Sequence, residues 1–99
     1  MAFWRRLLTS QYYPFLNFQK REIEKAISLY QQSLELDRRI GDVQGEAATL
    51  VMLGQLLADE KGEVETAIDY LQQSLAIFQH LKSPDAETVR EMLDEVRRM

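Results

Sequence analysis

Side chains able to make or break bonds are sparse in this chain of 99 residues, which holds one histidine, His80, and no cysteine. A lone imidazole without a neighbouring nucleophile pattern has no relay to join, and near a helix C-terminus its ordinary role is to complement the helix dipole. The absence of cysteine excludes disulfides and thiolate metal sites. Four acids, Asp59, Glu60, Glu63 and Glu65, surround a Lys61-Gly62 turn. Their order lacks the oxygen-ligand spacing of a calcium loop, so they read as a solvated face rather than a metal site. No Gly-rich phosphate loop or nucleophile elbow is present. These residues describe a non-enzymatic chain with no cofactor and no metal.

The remaining functions are binding functions, and charge narrows them. With 12 basic and 16 acidic residues the net charge is −4, which leaves no electrostatic footprint for nucleic acid. The charge is polarised along the chain. Residues 1–21 carry Arg5, Arg6, Lys20 and Arg21 and no acid, so the rest has 8 basic and 16 acidic groups, a net of −8. Six of the nine aromatics, from Phe3 to Phe18, fall in the same stretch. A boundary is therefore expected near residue 19, with a basic aromatic segment over 1–19 and a second part over 20–99. Leu7-Leu8 runs at once into Thr9-Ser10-Gln11, too short for a secretory h-region, and no apolar run approaches the roughly 20 residues that cross a bilayer. A cytoplasmic location is the expectation.

The elements that would position a binding surface are helices. A chain 45% hydrophobic and 28% charged, with 4 Gly and 2 Pro, suits one helical domain better than a disordered or all-β one. Shifting it by 41 residues aligns Ala26 to Leu36 with Ala67 to Ile77, with six of the eleven positions identical. Self-similarity at a fixed period marks a repeat architecture whose units bury their apolar faces on each other. Ile23, Ala26, Ile27, Tyr30 and Leu34, then Ala47, Leu50, Val51, Gly54 and Leu57, then Ile68, Leu71, Leu75 and Phe78 recur at helical spacing. Gly41 is suited to end one helix and Asp42 to cap the next. Ser83-Pro84-Asp85 is a further start signal, followed by Val89, Met92, Leu93 and Val96 on one face. Helices are predicted over about 20–40, 43–60, 63–81 and 84–98. Ile27, Tyr30, Leu34, Leu50, Leu53, Gly54, Leu57, Ile68, Leu71 and Leu75 are the expected core.

The order Gly45-Glu46-Ala47, Leu53-Gly54, Gly62, Ala67-Ile68 and Ser74-Leu75 resembles the tetratricopeptide repeat, in its longer variety of about 41 residues found in kinesin light chains. The resemblance implies an all-α fold of antiparallel helix hairpins stacked as a short right-handed solenoid, with one full repeat over about 43–81 and partial repeats on either side. It also implies a protein-binding adaptor, in which the first helices of the repeats line a concave groove. Ala48, Met52, Gln55 and Asp59 fall on that line, facing a peptide or helix of another protein, with Met52 as the adaptable apolar contact and Gln55 as a hydrogen-bond donor. Met52 stands where the longer variety often has an asparagine. One extra residue lies between Gly54 and Gly62, from which a longer inter-helix loop is expected.

The N-terminal segment supplies further candidates for partner contact, Trp4, Arg5 and Tyr12 among them. Phe3, Trp4, Leu7, Leu8, Tyr12 and Phe15 approximate one helical face, which suits a degenerate first helix of the repeat or a cap over its end. A membrane surface is the weaker reading, because Pro14 interrupts the helix and two arginines anchor poorly. Stacking of unpaired repeat ends into a homo-oligomer is the third.

Overall fold

The computed structural model describes residues 20–99. They form α1 (Lys20–Ile40), α2 (Val43–Leu56), a π-helical turn (Leu57–Lys61), α3 (Val64–His80) and α4 (Asp85–Arg97). Each α-helix lies within a few residues of its predicted bounds. The segment 1–19, and with it Trp4, Arg5 and Tyr12, lies outside the described residues.

The helix ends follow from local chemistry. Gly41 takes φ +76°. This lets its N–H bond the Arg38 carbonyl at 3.4 Å while the Asp42 N–H bonds that of Asp37 at 2.9 Å, the paired closure of a Schellman motif. Asp42 then caps α2, its Oδ1 accepting from the Gly45 N–H at 2.9 Å. The end of α3 repeats this geometry: Lys82 N–H reaches Gln79 O at 3.0 Å and Ser83 N–H reaches Phe78 O at 2.9 Å. Here the left-handed residue is Lys82, at φ 55°. The Ser83 hydroxyl accepts from the Asp85 N–H at 3.1 Å, and Pro84 already has helical angles of −63° and −18°.

Antiparallel neighbours pack in sequence, α1 on α2, α2 on α3 and α3 on α4. Leu50, Leu53, Leu71 and Val89 are fully enclosed; burial of such side chains contributes about 1.5–3 kcal/mol each. Gly54 sets how closely α2 and α3 approach. A Cβ there would lie 2.9 Å from Leu71 Cγ and 3.2 Å from the Ala67 carbonyl oxygen, inside ordinary van der Waals separation. Polar ties add direction: Thr49 Oγ1 donates to Asp37 Oδ2 at 2.9 Å across α1 and α2, and Arg38 pairs with Glu46 at 3.0 Å. On α4, Val89, Met92, Leu93 and Val96 are buried while Glu87, Arg90, Glu91, Asp94 and Arg97 face solvent.

Two expectations are corrected. Ile27, Tyr30, Ile68 and Leu75 are half-buried rather than buried, each packed against the core while keeping part of its surface in solvent. The extra residue between Gly54 and Gly62 does not lengthen a loop. It is absorbed inside the helix as the π turn, where the Gly62 N–H bonds the Leu57 carbonyl five residues back and the Glu63 N–H reaches the same oxygen at 3.0 Å. A looped-out residue would have pulled Leu57 and Ala58, now 6% and 1% exposed, away from the core. Gly62, at φ +67°, then turns the chain into α3.

Candidate functional site

The inner side of α2 is fixed from end to end, since Ala47, Leu50 and Leu53 have no exposed surface. Its outward side is therefore presented on a rigid element. Ala48 is exposed there, and Met52 is 47% exposed, an open thioether chain beside a methyl-sized neighbour. Gln55, one turn on, is half-buried. These three share one run of α-helix, which at i, i+4 and i+7 keeps them on a single line. Asp59 falls inside the π turn, where the rotation per residue differs from that of an α-helix. It is half-buried, and its Oδ2 is shielded from solvent. The sequence-predicted line is thus brought together for Ala48, Met52 and Gln55, while Asp59 belongs to the turn beyond it.

The acidic turn has a structural occupation. Lys61 bonds Glu24 of α1 and lies 3.8 Å from Glu63, so it ties the turn to the first helix. The hydrogen bond it donates to the Glu24 carboxylate is the main cause holding the Lys61 ammonium above its ordinary pKa; desolvation opposes it. Among the described residues no group of three or more His, Asp or Glu could hold a metal ion. His80 is exposed in the last turn of α3. No helix among them is long and apolar enough to cross a membrane.

A second surface was not singled out by sequence reasoning. Leu29, Leu36 and Ile40 of α1 are 56%, 52% and 66% exposed. They recur at seven and four residues, hence on one stripe. Beside Leu36 a shallow depression of about 210 Å³ is lined by Gln32, Glu35 and Arg39. The available signal was the pairing of Leu29 and Leu36 with Tyr70 and Ile77 at the 41-residue offset.

Hairpins of α-helix repeated at a fixed offset, tied by a glycine contact at their crossing, define an all-α helical repeat. The family model described as tetratricopeptide repeat matches residues 15–80, and the chain belongs to that family. Its members are in general modules that bind other proteins. No curated protein and no solved structure matches the chain significantly.

Proposed function

We propose that this chain is a non-enzymatic adaptor of the longer-repeat variety, and that the outward line of α2 holds an extended or helical segment of a partner protein. The observation that carries this reading is the exposure of Met52 at 47% on the helix whose opposite side holds the wholly enclosed Leu50 and Leu53. Methionine adapts its shape to varied apolar surfaces. Ala48 beside it leaves room for a ligand side chain, and the half-buried Gln55 amide offers a donor for a peptide carbonyl. The rigid inner face supports the reading too, because a preordered contact surface loses little entropy on binding.

Selection of a random-peptide display library on the full chain tests the reading. Peptides enriched on the parent bind Met52→Glu at least about tenfold more weakly, equivalent to about 1.4 kcal/mol, and bind Ala76→Glu, an exposed change on α3, as well as the parent. Equal binding to all three proteins overturns it.

A further inference from the structure

With no cysteine in the chain, methionine sulfur is its principal target for a mild two-electron oxidant. Three methionines lie among the described residues, in unlike surroundings. Met92 is only 8% exposed and packs in the core with Val89, Leu93 and Val96 of α4. Met99 is open to solvent beyond the end of α4, away from the line on α2. Met52 alone combines an accessible side chain with a place inside a helix. It belongs to neither cluster of core side chains, and exposed Ala48, one turn before it, leaves its side chain open to approach. The opposite side of the same helix holds the enclosed Leu50 and Leu53, so a chemical change at the Met52 sulfur leaves the packed interior untouched.

We propose that Met52 is an oxidation site, and that its conversion to the sulfoxide by a hydroperoxide releases the partner from α2. The inference rests on the reading of the Ala48, Met52 and Gln55 line as the partner's docking surface. With hydrogen peroxide the sulfur lone pair attacks one peroxide oxygen, and the S–O bond forms as the O–O bond breaks. The departing hydroxide takes the proton of the transferred hydroxyl and leaves as water. Sulfur gives up two electrons and the peroxide receives them. The product carries a strong hydrogen-bond acceptor where an adaptable apolar chain stood. In the free chain that oxygen stays hydrated, because the side chain is open to solvent. Under an apolar partner surface it is buried without a donor, which costs binding. Oxidation therefore penalises the complex and spares the fold, the differential effect that a switch requires.

The full chain is treated with hydrogen peroxide, cleared of it with catalase, and followed by mass-spectrometric peptide mapping, by circular dichroism and by binding of a peptide selected on the untreated parent. Met52 and Met99 are expected to gain oxygen well before Met92, with helicity unchanged, while the peptide binds at least about tenfold more weakly. The Met99→Leu protein is expected to lose affinity as the parent does, Met52→Leu to keep its affinity through the treatment, and methionine sulfoxide reductase to restore binding to the treated parent. If Met52→Leu binds poorly before treatment, the loss in Met99→Leu and its reversal by the reductase decide the matter. Affinity that survives full oxidation of Met52, an equal loss in treated Met52→Leu, or oxidation of Met92 as early as Met52 with loss of helix overturns the proposal. Peptide binding that Met52→Glu weakens but oxidised Met52 retains overturns the switch alone; binding indifferent to Met52→Glu overturns the docking line and the switch with it.

Discussion

The hydroxyl of Ser74, enclosed on α3, donates a 2.8 Å hydrogen bond to the main-chain carbonyl of Ala47 on α2. Side chain meets backbone, so the bond fixes the rotation and height of one helix against the other, at the residue before Ala48 and somewhat more than a turn before Met52. Replacing Ser74 by Ala removes the donor without adding volume and is expected to lower stability by about 1 kcal/mol. Ser74→Val adds bulk at the same contact and is expected to cost more. Urea unfolding checks both as a shift of the midpoint at constant slope.

Gly54 is the second determinant of that crossing. Alanine is the better helix former by about 1 kcal/mol. The added methyl, however, would meet Leu71 Cγ and the Ala67 backbone oxygen, and overpacking costs about 1–3 kcal/mol. The clash wins, so Gly54→Ala is destabilising and Gly54→Leu more so. A melting temperature unchanged in Gly54→Leu would show the pairing of α2 and α3 to be wrong.

Lys82 occupies in the second Schellman closure the place Gly41 occupies in the first. A residue with a Cβ in the left-handed region carries a penalty of about 1–2 kcal/mol that glycine escapes. Lys82→Gly is expected to raise stability by about 1 kcal/mol, part of the gain being offset by glycine's greater freedom in the unfolded chain. Thermal unfolding reads the result directly, and a fall in stability would contradict the role given to this position.

The π turn makes a prediction about chain length. Deleting Glu60 removes the inserted residue and lets regular α-helical bonding run to Gly62, keeping α2 and α3 in register. Deleting Met52, inside α2, rotates everything after it and misplaces Leu53, Gly54 and Leu57. The first deletion is expected to retain cooperative unfolding and the second to lose it, as followed by circular dichroism.

Local signals in the sequence located the helices well. Gly41-Asp42 and Ser83-Pro84 announce helix boundaries through backbone chemistry that needs no tertiary partner, and Leu53-Gly54 announces a close crossing. Spacing alone was silent on how an inserted residue would be absorbed, because burial of Leu57 and Ala58 decides between loop and π turn. Helical periodicity likewise cannot say which of two apolar faces is covered, so Leu29 and Leu36 escaped notice. Ser33 and Ser74 were visible as a repeated pair, but the bond to Ala47 depends on a carbonyl 27 residues away. The outward exposure of Ala48 and Met52 was readable from their register, while Asp59 departs from it because the π turn intervenes.

The most direct test of partner binding on α2 is amide chemical-shift mapping of the full chain at saturation with a library-selected peptide. The account predicts the largest shifts at Ala48, Met52 and Gln55. Shifts confined to Leu29, Leu36 and Ile40 of α1, with the Met52 amide unmoved, would contradict it.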